Sequence, residues 1–141
     1  MAKLVHSHSC ENFILTCIDF RFQKAISEWI KQNNWEENYD LLSIAGTQKN
    51  AVDSATKDFF LNQLAISVRL HSPKVVVLVA HQDCGAYGGS TAFGNWDEEK
   101  AKYMEDLNAA EAAIKEKFPE MEVKKVIAVL DAENNISFEQ I

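Results

Sequence analysis

Val75-Val76-Val77-Leu78-Val79-Ala80, followed at once by His81, is the stretch on which the fold turns. It is an unbroken apolar run, mostly β-branched, bounded by Pro73 on one side and by a glycine-rich loop on the other. No polar residue alternates with the apolar ones, so the run reads as a strand covered on both faces, as in a parallel sheet flanked by helices. Working outward, residues 13–18 (Phe-Ile-Leu-Thr-Cys-Ile) have the same character, and residues 39–44 form another short strand that Ala45-Gly46-Thr47 breaks. Residues 123–130 supply a fourth strand. Glu133-Asn134-Asn135 then turns the chain towards residues 136–141, a candidate fifth, terminal strand.

Helical segments fill the intervals. Phe22, Ile26, Trp29 and Ile30 recur at helical spacing, which predicts a helix over 22–31. A longer one is expected from Asp53, as N-cap, to about His71, where Pro73 ends it. A third is expected from Asp97, as cap, to about Phe118, closed by Pro119. The order β-α-β-α-β-α-β predicts an α/β, three-layer fold with a mostly parallel four-stranded sheet. Right-handed crossovers favour strand order 2-1-3-4. We expect one domain over 1–141, with 1–11 as an N-terminal arm, since about two-thirds of the unfolded surface can be buried at this length.

Composition narrows the function. Twenty-one acidic against 14 basic residues give a net charge of −7, with the acids gathered in 35–40 and 97–120. No basic patch stands out, so no nucleic-acid partner is expected. No apolar run approaches the roughly 20 residues of a membrane span, so no membrane partner is expected either. Met1-Ala-Lys-Leu-Val-His has no apolar signal-like region, and a cytoplasmic location is expected. In a reducing compartment the three cysteines point to metal binding or catalysis rather than to disulfides.

The order 2-1-3-4 reverses its direction of winding between strands one and three, and ligands bind outside the carboxyl ends of strands at such a switch point. Cys17 lies at the end of strand one and His81 directly after strand three, so the two face each other across one crevice. His81-Gln-Asp-Cys84 supplies an imidazole and a thiol from one loop, and Gly85 relaxes the turn. Zinc favours this mixture of sulfur and nitrogen ligands, so we read Cys17, His81 and Cys84 as one zinc site. Taken alone, the His81–Cys84 fragment also fits a loop histidine and a buried thiol.

Cys17 is followed by Asp19 and Arg21, an unusual pair of charges at the edge of a core. They read either as a helix-capping ion pair or as part of the site. Asp19 could close the zinc shell, or Arg21 could hold it off the metal with its planar fork. The first state blocks the site and the second leaves room for water. Cys10 closes the shell only if the arm folds back or reaches from another subunit, and His6 and His8 are expected to be solvated on that arm.

These residues resemble the β-class carbonic anhydrases. Cys17-Ile-Asp19-Phe-Arg21 matches their C-x-D-x-R motif and His81-Gln-Asp-Cys84-Gly85 their H-x-x-C-G motif, with the Ala45-Gly46 turn between them in the family's order. The chain is similar to compact, divergent members. Phe20 stands where many members have a small residue, and Ser43-Ile44 where many have Arg-Asn. The resemblance implies zinc (Zn2+) on Cys17, His81 and Cys84, an Asp19–Arg21 dyad, and a zinc lyase that reversibly hydrates carbon dioxide to bicarbonate and a proton. It also implies a homodimer or higher homo-oligomer with sites near subunit interfaces. On that reading backbone N–H groups near Gly46 and Gly85 hold a substrate oxygen, and His6, His8 and His71 are the candidates to carry the proton away. Carbonyl sulfide or carbon disulfide hydrolysis would use the same ligands. A non-catalytic zinc protein is the alternative of a different class.

Overall fold

The computed structural model of the protein describes residues 8–141. Its elements, in chain order, are β1 (Asn12–Thr16), α1 (Gln23–Gln32), β2 (Tyr39–Ser43), α2 (Lys49–Val52), α3 (Lys57–His71), β3 (Val75–His81), α4 (Trp96–Lys117), β4 (Glu122–Leu130) and β5 (Ile136–Gln140). Short 3-10 turns occupy Phe20–Phe22, Gly85–Tyr87 and Ser90–Ala92. The sheet runs in the order β2-β1-β3-β4-β5. β2, β1, β3 and β4 pair in parallel, and β5 closes one edge antiparallel to β4. The α/β fold and the strand order therefore match the sequence reading, and the terminal strand is present.

The apolar runs behave as a two-sided sheet requires. In β1 and β3 successive side chains go to opposite faces. Phe13, Leu15, Val76 and Leu78 pack with Phe60, Leu64, Tyr103, Leu107 and Ile114 from α3 and α4. Ile14, Val77 and Val79 pack instead with Phe22, Ile26 and Ile30 of the α1 region and with Val126 and Ala128 of β4. β4 is less buried, and its Lys125 reaches Asn108 and Glu111 of α4 at 2.9 and 3.1 Å.

Local boundaries differ from the sequence reading for physical reasons. β1 stops at Thr16, which leaves Cys17 and Ile18 just beyond the ladder. Asn95, not Asp97, caps α4: its side-chain oxygen accepts from the Glu98 N–H at 2.9 Å, while Asp97 lies in the first turn. Asp53 does not cap α3, whose N-cap is Thr56; its carboxylate accepts from the Ala55 N–H one turn earlier. α2 was hidden by its length, since four residues cannot display a helical period.

Leu78, at the centre of β3, has no exposed surface, whereas Leu41 on the edge strand β2 is 55% exposed. Leu78→Ala should cost about 2–5 kcal/mol in urea unfolding, the range for truncating a fully buried leucine. Leu41→Ala should stay within about 0.5 kcal/mol.

Candidate metal centre

The parallel register sets the site. Thr16, the last residue of β1, lies beside Val79 of β3 and Ser43 of β2, so the chain leaves all three strands at the same end. Cys17 comes one residue past β1, and His81 is the last residue of β3. Cys84 follows after a turn in which Asp83 takes a left-handed conformation (φ +59°). The ligand atoms of Cys17, His81 and Cys84 all lie within 4.8 Å of one another, and the three side chains are buried. Gly46, after β2, directs its N–H to the Cys17 sulfur at 3.4 Å. Its φ is +86°, and a Cβ there would stand 3.0 Å from the Ala86 Cβ, so a glycine is needed to bring that N–H so close. Gly85 opens the turn after Cys84, with open space where a side chain would be.

His81 is oriented from its other nitrogen. Nδ1 lies 2.8 Å from the Gln82 carbonyl, an acceptor only, so Nδ1 carries the proton and donates. Nε2 is left as a lone-pair donor, buried, with no hydrogen-bond partner among the described residues. The Phe22 ring covers the imidazole at 4.3 Å between centroids. An unpartnered buried polar atom is costly unless something else engages it. Here it shares a buried pocket with two sulfurs, and a divalent cation of the zinc class suits this donor set. The carbonyl-anchored imidazole is also the arrangement that fixes a metal ligand's tautomer.

The thiols are poised unequally. A hydrogen bond from Cys84 is the main cause that brings Cys17 down to about 4; burial opposes it, and His81 and the Gly46 N–H assist. Cys84 is pushed up by the same contact and by burial. Burial works against a charged His81, but the neighbouring Cys17 sulfur and the Gln82 carbonyl raise it overall. The shared contact favours negative charge on Cys17 over Cys84, and a bound cation would favour the thiolate form of both.

Asp19 rests on Arg21. The guanidinium grips both carboxylate oxygens, with Nε 3.0 Å from Oδ1 and Nη2 2.6 Å from Oδ2. The Arg21 backbone N–H also donates to Oδ1 at 3.0 Å. Arg21 in turn is held by Asp83, whose carboxylate and carbonyl accept from Nη1 at 2.8 Å and Nη2 at 3.0 Å. The Arg21 hydrogen bonds keep the Asp19 carboxyl below its usual range. Of the two states open in the sequence, the structure adopts the one with the dyad closed on itself. Asp19 Oδ2 still lies only 3.9 Å from His81 Nε2, at the margin of the metal pocket. Gln23 fastens this loop, donating to the Cys17 and Asp19 carbonyls, both at 3.0 Å.

Several supporting residues escaped the sequence reading. Asp83 sat inside the H-x-x-C motif, where its charge was the available signal. Glu99, buried in the first turn of α4, accepts from the Asp83 N–H at 2.7 Å and from the Tyr103 hydroxyl at 2.9 Å. Tyr103 accepts from the Cys84 N–H at 3.2 Å, so α4 supports the ligand loop from beneath. Glu99 was concealed among the many acids of that helix.

Other expectations fall elsewhere. Cys10 does not close the shell; its backbone N–H donates to the His71 carbonyl at 3.0 Å, at the far end of β1. His8 is exposed, and its ring makes a tilted contact with that of His71, 4.8 Å between centroids. Neither is placed to relay a proton from Cys17, and His6 lies outside the described residues. Trp29 and Trp35 pack against each other and Trp29 stacks on Phe138, while Trp96 meets Tyr103.

Among the described residues, no helix is long and apolar enough to cross a membrane. The chain is 28% identical over 130 residues to an uncharacterized protein of Rickettsia conorii, covering 88% of this chain and 70% of the relative. It is 27% identical over 130 residues to an uncharacterized protein of Rickettsia bellii, covering 88% and 79%. A family model described as "Putative carbonic anhydrase" matches residues 7–139. With nearly its whole length matched and the Cys17–His81–Cys84 cluster in place, the chain belongs to that family.

Proposed function

We propose that this protein is a zinc-dependent, β-class carbonic anhydrase: CO2 + H2O gives HCO3− and a proton, reversibly. The observation that carries the proposal is the buried His81 Nε2, unpartnered beside two sulfurs, with Asp19 held 3.9 Å away by Arg21. Cys17, His81 and Cys84 would hold zinc. When bound, zinc supplies the Lewis acidity that makes water a nucleophile near neutral pH.

The chain's own residues do the rest. Asp19, ionised because Arg21 holds it so, accepts a hydrogen bond from the nucleophilic oxygen and directs its lone pair. Arg21 is a positioning residue, fixed between Asp19 and Asp83, so Asp19 cannot swing onto the metal without breaking a bidentate contact. The Gly46 N–H is engaged with Cys17, where it steadies the thiolate. The backbone at Gly85 is therefore the donor we assign to a substrate oxygen. Ile18 and Phe20, 61% and 86% exposed, flank Asp19 and offer an apolar surface that a second copy of the chain would cover.

Cys84→Ser should lower zinc, counted by elemental analysis of the purified chain, by one equivalent; unchanged zinc would remove Cys84 from the centre. Asp19→Ala should keep that zinc yet lose carbon dioxide hydration by about 10²-fold or more in stopped-flow assays. Asp83→Ala, which frees one side of Arg21, should cost about 10-fold to 100-fold. Turnover of carbonyl sulfide or carbon disulfide with none of carbon dioxide would reassign the substrate, and no turnover of any of them would leave a binding protein. Light scattering should give a dimer that Phe20→Glu dissociates; a monomeric wild type would contradict the pairing.

A further inference from the structure

We propose that Cys10, Asp40 and His71 form a second metal site, for a transition cation of the zinc class, at the opposite end of the sheet. The thiol sulfur, a carboxylate oxygen and an imidazole nitrogen lie within 4.8 Å of one another. Cys10 precedes β1, Asp40 is the second residue of β2 and His71 ends α3 just before β3. In a parallel sheet these are amino ends, whereas Cys17 and His81 sit at carboxyl ends. The two clusters share no residue, and the proposal does not depend on the activity assigned to the first.

The cluster is already organised by the fold. The Cys10 N–H donates to the His71 carbonyl at 3.0 Å, and the Lys74 N–H to the Glu11 carbonyl at 2.9 Å, so the segment before β1 is pinned to the end of α3. His71 Nδ1 lies 2.9 and 2.8 Å from the two Asp40 oxygens. The Ser67 hydroxyl donates to Asp40 Oδ2 at 2.5 Å, which sets the carboxylate's orientation. A cavity of about 240 Å³ opens beside Asp40, Ser67 and His71, with room for water as a further ligand. His8 stands next to it, its ring 4.8 Å from that of His71.

A plain Asp40–His71 ion pair accounts for two of the three groups. It does not account for the Cys10 sulfur, which the backbone places against Asp40 while its thiol donates to the Asn12 carbonyl at 3.4 Å. A nucleophilic thiol is a poor alternative, because burial and the Asp40 charge push Cys10 up, away from the thiolate form. One thiolate, one carboxylate and one neutral imidazole balance a divalent cation. All three donor types are accepted by zinc, with water in the remaining position. The cation would clip the segment before β1 to β2 and to α3, closing long stretches of chain.

Zinc stoichiometry of the full chain, equilibrated with chelator-buffered zinc, tests this directly. The wild type should bind two equivalents. Cys10→Ser and His71→Gln should each remove one and spare the other, while Cys84→Ser should remove the other and spare this one. Cobalt as an optical probe should show thiolate charge-transfer absorption that Cys10→Ser reduces. Wild-type zinc, whether one equivalent or two, that both Cys10→Ser and His71→Gln leave intact would overturn the site, whatever Cys84→Ser does to the first centre. Cys10 and His71 are both partly exposed, so their variants decide the question even where Cys84→Ser does not fold.

Discussion

The parallel pairing of β1 with β3 is the constraint from which the rest follows. Both strands are buried on both faces, so neither can slip by a residue without exchanging the side chains fitted to one core for those fitted to the other. Locked in register, they must end together. The residues that follow them, drawn from distant parts of the sequence, are thereby held in one crevice with little freedom. Cys17 and His81 meet there because the core allows no other alignment. Cys84 joins them because the turn after β3 curls back, with Glu99 and Tyr103 satisfying the backbone N–H groups of that turn.

Within the crevice, two electrostatic devices divide the work. The Gly46 N–H and the neighbouring Cys84 thiol favour negative charge on the Cys17 sulfur, and the Gln82 carbonyl aims His81 Nε2 inward. Arg21 meanwhile lies between Asp19 and Asp83, one a bidentate partner and the other a brace. The carboxylate is held in its ionised form, close to the Cys17–His81–Cys84 cluster but outside it. The same charge that would attract Asp19 to a cation is spent on Arg21, so the distance from Asp19 to the ligands is set by a geometry that Asp83 enforces.

The strands and their order were legible because burial on both faces leaves an unmistakable signal in Val75–Ala80 and its neighbours. The clustering of Cys17, His81 and Cys84 was legible because the topology rule told where strands one and three end and the spacing of His81 and Cys84 put both in one loop. The resting state of Asp19 was not, since it depends on whether a residue far along the chain braces Arg21. Asp83 does so only because a left-handed turn points it back, and no spacing rule encodes that. Glu99 and Tyr103 were hidden for a related reason: they act through backbone contacts, and in sequence they resemble any acid and any aromatic of an exposed-looking helix. Cys10 and His71 were read one at a time, and their juxtaposition with Asp40 emerges only when the amino ends of β1 and β2 meet the end of α3.

The central claim is that Cys17, His81 and Cys84 together bind the metal. X-ray absorption at the zinc edge, on the Cys10→Ser variant loaded with one equivalent, reads that ligand set without interference from the opposite end of the sheet. The account predicts two sulfur ligands near 2.3 Å together with nitrogen or oxygen ligands near 2.0 Å, the distances usual for thiolate and imidazole on zinc. A spectrum without sulfur, or with a single sulfur, would contradict it.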